Sequence, residues 1–209
     1  MIARKVAEIL LDVNAVKLSV KNPFTYTSGL ISPIYTDNRV LISYVQERDV
    51  IVGGFIDLIK ERGLKPDFLA GTATAGIPWA AFVAERMNLP MVYVRSKPKE
   101  HGAGKQIEGM LPEGKTVLII EDLVSTGGSS LNSVESIRGE GKGIVHEVLA
   151  IFSYGMEESE TAFRNASTAL STLTNVEVLL EVAKEKNYIT EEEANEVKRF
   201  ISNPPAWKK

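Results

Sequence analysis

The sequence predicts an α/β protein: a mainly parallel sheet with helices on both faces and a small N-terminal cap. Short apolar runs of β-forming residues alternate with longer stretches of helical period, the order expected of a parallel sheet. One of these runs, Val117-Leu118-Ile119-Ile120, has no polar residue, as suits a strand buried on both faces. The turns that follow such runs are rich in Gly, Ser and Thr and lead directly into helices.

Each element has its own signal. Ile2, Val6, Ile9, Leu10 and Val13 recur at helical spacing and predict a helix over 2–13. Val16 to Val20, Phe24 to Thr27 and Ile34 to Thr36 are short β-type runs separated by Asn22-Pro23 and Ser28-Gly29, which are turn punctuation. Ser43 with Gln46 three residues later predicts a capping box opening a second helix, which Gly63 ends. Residues 67–71 predict a strand, Ile77 to Met87 a helix and Met91 to Val94 a strand. The strand at Val117 to Ile120 leads through a Gly/Ser turn to a helix over about 129–138, and a strand follows near Ile144 to Phe152, placing His146 inside it as a structural residue. The tail reads as mostly helical, with a capping box at Thr190 and Glu193 and a stop at Asn203-Pro204-Pro205. We expect one domain: helix and hood over 1–42, an α/β core over 43–155 and a helical part over 156–209.

Composition excludes several functions. With no cysteine there is no disulfide, thiolate catalysis or cysteine metal site, and two histidines, His101 and His146, argue against a histidine-rich zinc site. The 24 basic and 27 acidic residues leave a net charge of −3, with no basic field for nucleic acid or an anionic membrane. No run of apolar residues is long enough to span a bilayer. The first residues lead into an amphipathic stretch broken by Glu8 and Asp12, so a cytoplasmic address is expected.

The chemistry concentrates after Ile120. Glu121 and Asp122 stand at the end of the apolar strand, and Ser125-Thr126-Gly127-Gly128-Ser129 lead into a helix. Backbone N–H groups, hydroxyls and a helix N-terminus of this kind converge on a phosphate. Two carboxylates would repel that phosphate, but they suit sugar hydroxyls or a magnesium ion. A phosphorylated ribose satisfies both halves. A plain βα turn with an acidic cap is the bland alternative, but the full pattern is more specific, and it is neither a Walker A loop nor a dinucleotide fingerprint. The connection from Val94 to Val117, of about 20 residues, is too long for an ordinary connector. It begins with cations, Arg95, Lys97, Lys99, His101 and Lys105, suited to covering a pyrophosphate at the same strand ends.

The acidic pair and S-T-G-G-S loop resemble the phosphoribosyl-pyrophosphate (PRPP) motif of the type I phosphoribosyltransferases. That resemblance implies ribose contacts for Glu121 and Asp122 and 5′-phosphate contacts for Ser125, Thr126, Gly127, Gly128 and Ser129. It assigns the loop around Thr74 and Ala75 to pyrophosphate, although Ala75 stands where the best-known branch has a lysine. The order R-S-K-P-K-E-H-G, together with F-T-Y-T-S-G and S-P-I-Y-T-D-N-R, resembles the orotate-using members in particular. Their catalytic loop carries groups matching Arg95, Lys99 and His101; with Asp122, Lys99 and His101 are the implied catalytic residues. Their hood implies orotate contacts for Tyr35, Asp37 and Arg39, with Ser125 also touching the base. A guanidinium at Arg39 can clamp the orotate carboxylate through two N–H bonds. The family's lysine before the hood matches either Lys17 or Lys21, and the arginine that some members place after the last core strand is replaced by Ser153-Tyr154-Gly155. The resemblance further implies Mg²⁺, held mainly by PRPP and water near Glu121 and Asp122, and a homodimer whose catalytic loop is shared in trans. Two other readings remain open: a purine or uracil phosphoribosyltransferase, and a non-catalytic PRPP-sensing regulator.

Overall fold

Apolar residues at helical spacing give α1 (Ile2–Asp12), which buries Val6, Ala7, Ile9, Leu10 and Leu11. The structure is a computed structural model that describes residues 2–26, 28–98 and 105–207. Lys99 and His101 therefore lie outside the described residues.

The hood is two small hairpins. Strand β1 (Val16–Leu18) pairs antiparallel with β4 (Ile34–Thr36), and β2 (Phe24–Thr25) pairs with β3 (Ile31–Ser32). The second hairpin turns through Gly29, whose φ of +84° is in the region that favours glycine. Strand β3 escapes the sequence reading because Pro33 cuts it to two residues before β4 begins.

The expected capping box at Ser43 and Gln46 does not form. Asp37 captures the turn earlier, accepting from the Arg39 N–H, and a 3-10 helix runs over Asn38–Ser43. Helix α2 (Val45–Glu61) then starts after Tyr44, whose side chain makes no capping bond. Its end is as expected: Gly63 takes φ +64°, and Leu64 N–H donates to the Ile59 carbonyl at 3.0 Å.

The central sheet contains β5 (Phe68–Thr72), β6 (Met91–Val94), β7 (Ile107–Glu108), β8 (Val117–Val124), β9 (Glu147–Ser153) and β10 (Ala169–Asn175). Its spatial order is β10-β9-β8-β5-β6-β7, parallel throughout except for β7 against β6. Leu118 and Ile120 of β8 enter one core with α1, α2, α3 (Gly76–Met87), α6 (Val176–Glu185) and α7 (Glu191–Ser202). Val117 and Ile119 enter the other with α4 (Gly128–Gly139) and α5 (Glu157–Asn165). Period-2 alternation with both faces apolar is why the run reads as continuous hydrophobicity.

Three further expectations need correction. Strand β8 continues through Glu121 and Asp122 to Val124, so the acids lie within the strand. The 156–209 tail contains β10, which joins the sheet and packs with α1; its sequence A-L-S-T-L-T-N is too polar to announce an edge strand. His146 is exposed and precedes β9, its carbonyl accepting from Ala169 N–H. The Thr190–Glu193 capping box forms, and α7 stops before the two prolines. No helix of the described residues is long and apolar enough to cross a membrane.

Candidate active site

Helix α3 leaves β5 on one face of the sheet, and α4 leaves the adjacent β8 on the other. A crevice opens at the carboxyl ends of strands where successive connections diverge in this way. The N-terminus of α3 packs closely on β8 there. A Cβ on Gly76 would lie 2.5 Å from the Ile120 carbonyl oxygen and 3.4 Å from a Glu121 carboxylate oxygen. Only glycine allows that approach.

Glu121 fills the gap between the helices and is 3% exposed. The Asp122 N–H donates to Oε1 at 3.1 Å, and the hydroxyls of Ser130 and Ser129 donate to Oε2 at 3.1 and 3.4 Å. Burial, followed by the charge of Asp122, pushes its carboxyl up to about 8. Asp122 is less enclosed, and burial raises it too, opposed first by its bond with Glu121. Asp122 is thus the more accessible carboxylate of the pair.

The phosphate loop begins where β8 ends. Gly127 takes φ +89°, and a Cβ there would meet the Phe163 ring at 2.9 Å. Helix geometry leaves the N–H groups of the first turn of α4 without intrahelical partners, alongside the half-buried Ser125 and exposed Thr126. These donors and the helix dipole form an anion site. Ser129 offers that site its N–H, while its hydroxyl turns to Glu121. Across the crevice, Thr74 is exposed and Ala75 partly so at the start of α3, and the Thr72 and Ser133 hydroxyls meet at 3.0 Å.

The hood bears directly on this site. Asn38, 1% exposed, donates its amide N–H to the Asp122 carbonyl at 2.7 Å, a link the sequence reading missed. The Tyr154 and Thr36 hydroxyls meet at 3.0 Å, a second tie from core to hood. Nothing in D-N-R or S-Y-G announces either tie, because both are tertiary. Tyr35 is exposed and packs its ring against Phe24 and Tyr26, with centroids 5.7 and 6.4 Å apart. The Arg39 Nε and Nη2 donate to the two Asp37 oxygens at 2.7 and 2.8 Å. That pairing holds Asp37 below the usual carboxylate range and leaves Nη1 as the edge of the fork not given to Asp37. A cleft of about 690 Å³ runs beside the phosphate loop, with Tyr26, Leu30, Ser125, Thr126 and Tyr154 in its wall. That volume suits a small-molecule ligand. Arg95 lies at the end of β6 and pairs with Glu108 at 3.3 Å. Among the described residues no cluster of three or more acidic or histidine side chains could cage a metal.

This fold and site define a phosphoribosyltransferase: residues 46–178 match the family model described as the phosphoribosyl transferase domain. The orotate phosphoribosyltransferases of Lactococcus lactis subsp. cremoris and Streptococcus thermophilus are 46% and 47% identical over 206 residues, covering 99% of this chain and 98% of each relative. The chain belongs to the orotate phosphoribosyltransferase family. Among solved structures, Leishmania donovani UMP synthase aligns with a TM-score of 0.79 at 26% identity, over 95% of this chain and 42% of that one. The orotate phosphoribosyltransferase of Aeropyrum pernix gives 0.71 at 27%, over 84% and 97%.

Proposed function

We propose that the chain transfers the 5-phosphoribosyl group of PRPP to N1 of orotate, giving orotidine 5′-monophosphate and pyrophosphate in pyrimidine (UMP) synthesis. The observation that carries this reading is the meeting of three parts at one crevice: a phosphate cradle at α4, the Glu121–Asp122 pair, and a hood carrying Arg39. In the reaction the bond from ribose C1 to the pyrophosphate oxygen breaks with its electrons leaving on pyrophosphate. N1 of orotate forms the new bond to C1 and releases its proton to solvent.

The protein's work is positioning and charge stabilisation. The first turn of α4, with Ser125 and Thr126, holds the 5′-phosphate. Asp122 holds ribose hydroxyls and favours positive charge developing on the ring, with Glu121 supporting it from behind. Arg95 and Lys99 neutralise the departing pyrophosphate, and His101 gives it a proton. Thr74 and Ala75 let the backbone approach pyrophosphate. Tyr35, the Asp37-oriented Arg39 and Ser125 select the base.

Magnesium fits this donor set: a hard ion that keeps its waters needs one or two carboxylates besides substrate phosphates, and Asp122, the more accessible acid of the pair, would supply one. When bound it would neutralise phosphate charge. The assembly consistent with this reading is a cytoplasmic homodimer in which each catalytic loop serves the partner's site.

The test is the loss of orotate absorbance on mixing with PRPP and Mg²⁺, with uracil, adenine and hypoxanthine as competitors. Turnover of orotate alone is expected. Preference for a purine or uracil would overturn the base assignment, and PRPP binding without pyrophosphate release would make the protein a regulator.

A further inference from the structure

The segment from Arg95 to Gln106 is closed at its base by one residue that spends every polar group it has. The Gln106 carbonyl accepts from Arg95 N–H at 3.0 Å, and the Gln106 side-chain amide donates back to the Arg95 carbonyl at 3.0 Å. Its side-chain oxygen accepts from the Ser136 hydroxyl at 3.1 Å. Its own N–H donates to Glu140 at 2.7 Å, and the next N–H, of Ile107, donates to the other Glu140 oxygen at 3.2 Å. Ser136 and Glu140 lie on the last turn and C-cap of α4, the helix whose first turn makes the phosphate cradle. Gly141 then lets Ile107 and Leu111 pack against the same helix end, since a Cβ there would meet each of them at 2.8 Å.

We infer that Gln106 is a positioning residue: with Ser136 and Glu140 it fixes the base of the cationic loop to the far end of the phosphate-binding helix, so loop and cradle share one rigid reference. This rests on the reading of the loop cations as catalytic. Fixing both ends of a connection lowers the entropy cost of bringing its side chains to one place. Gln106, Ser136 and Glu140 need not touch substrate, so their loss acts on turnover and not on ground-state binding of PRPP.

Gln106→Ala and Glu140→Ala test this separately; Glu140 is exposed and removes no core contact, so it keeps the test open if the first variant folds poorly. Two readouts are taken. In the assay with orotate, each variant removes two side-chain hydrogen bonds and should lose kcat at least about tenfold, with the PRPP Kd from calorimetry within about twofold of wild type. In limited trypsinolysis, cleavage of the Lys105–Gln106 bond should accelerate about tenfold, because the clamp holds that N–H and the chain must open locally to be cut. Unchanged cleavage, or faster cleavage with full turnover, would overturn the inference. A loss confined to melting temperature would also overturn it, leaving Gln106 a purely structural residue. If wild type does not turn over orotate, the functional reading fails, and the cleavage comparison alone then decides whether the clamp exists.

Discussion

Gly76→Ala measures how tightly the crevice is built. The added Cβ would lie 2.5 Å from the Ile120 carbonyl oxygen, against ordinary contact from 3.4 Å, so α3 and β8 must part by about 0.9 Å. The neighbour is the backbone of a central strand, which cannot rotate away. Overpacking of this kind costs at the upper end of the usual range, about 3 kcal/mol. Loss of glycine's freedom in the unfolded chain returns about 1 kcal/mol. The net expectation is destabilisation by about 2 kcal/mol, a fall of about 1 M in the urea midpoint with the slope unchanged. Turnover should fall as well, because Glu121 occupies the same gap. Gly53→Ala is the control: it lies in α2, and a Cβ there meets nothing within 4 Å. It should be neutral or stabilise by up to about 1 kcal/mol. Equal stability of Gly76→Ala and wild type, or equal losses in both variants, would refute the close-approach argument.

Lys99→Ala and His101→Ala should lower kcat far more than they weaken PRPP binding, and mixing either with Asp122→Asn should restore activity if loops serve the partner's site; no complementation would exclude sharing. Glu121→Gln tests the buried acid in magnesium-free urea titrations. Between its ordinary 4.5 and about 8 the native wild type holds a proton that the unfolded chain has lost, so this group's contribution to stability falls as pH rises through that window and levels off above it. The variant lacks that slope, so its stability relative to wild type should improve from pH 5 to pH 8.5; parallel profiles would place the shift elsewhere. Arg39→Ala should raise KM for orotate at least about tenfold, the scale of a lost charge-assisted bond, while KM for PRPP stays within about twofold; equal changes in both would make Arg39 a turn residue paired to Asp37 and nothing more.

The parts legible in the sequence are those where local signals and tertiary demands agree. Val117 to Ile120 is buried on both faces, and Met91 to Val94 is buried on one face and half-buried on the other, so their hydrophobicity alone marks them. Thr190 and Glu193 sit on an exposed helix start where nothing competes with the capping box. Ser43 failed because Asp37 nucleated a turn upstream, and a cap written locally yields to one formed earlier in the chain. Strand β10 was hidden because an edge strand needs apolar residues at few positions, and here Leu173 and Thr174 are the best buried. For the candidate site, S-T-G-G-S after two acids located the turn from β8 into α4, where the cradle is proposed. The unequal burial of the acids, and the Asn38 link to Asp122, depend on how α3, α4 and the hood meet, which no local pattern encodes.

That inequality bears on how a polyanion enters a site containing two carboxylates. A chain of net charge −3 has no general attraction for PRPP, and at physiological salt screening confines charge effects to about 8 Å, so local arrangement decides. Burial raises Glu121 to about 8, which keeps it largely protonated at neutral pH, and the Ser129 and Ser130 hydroxyls beside it shield the α4 N-terminus from it. The cradle therefore keeps the positive end of α4 for phosphate. On the proposed reading Asp122, the more accessible of the two acids, is the group beside the ribose as positive character develops in the transition state. Two fully ionised acids would stabilise that charge further, but they would repel the phosphate and pyrophosphate in the ground state and the leaving group afterwards. Burying Glu121, which favours its neutral form, reduces that repulsion while leaving Asp122 the more accessible acid of the pair. The same logic explains why the cations lie on the loop from Arg95 to Lys105 and not in the cradle. Charge opposite the pyrophosphate is useful when the C1–O bond breaks, and on the proposed reading the loop based at Arg95 and Gln106 is what carries it.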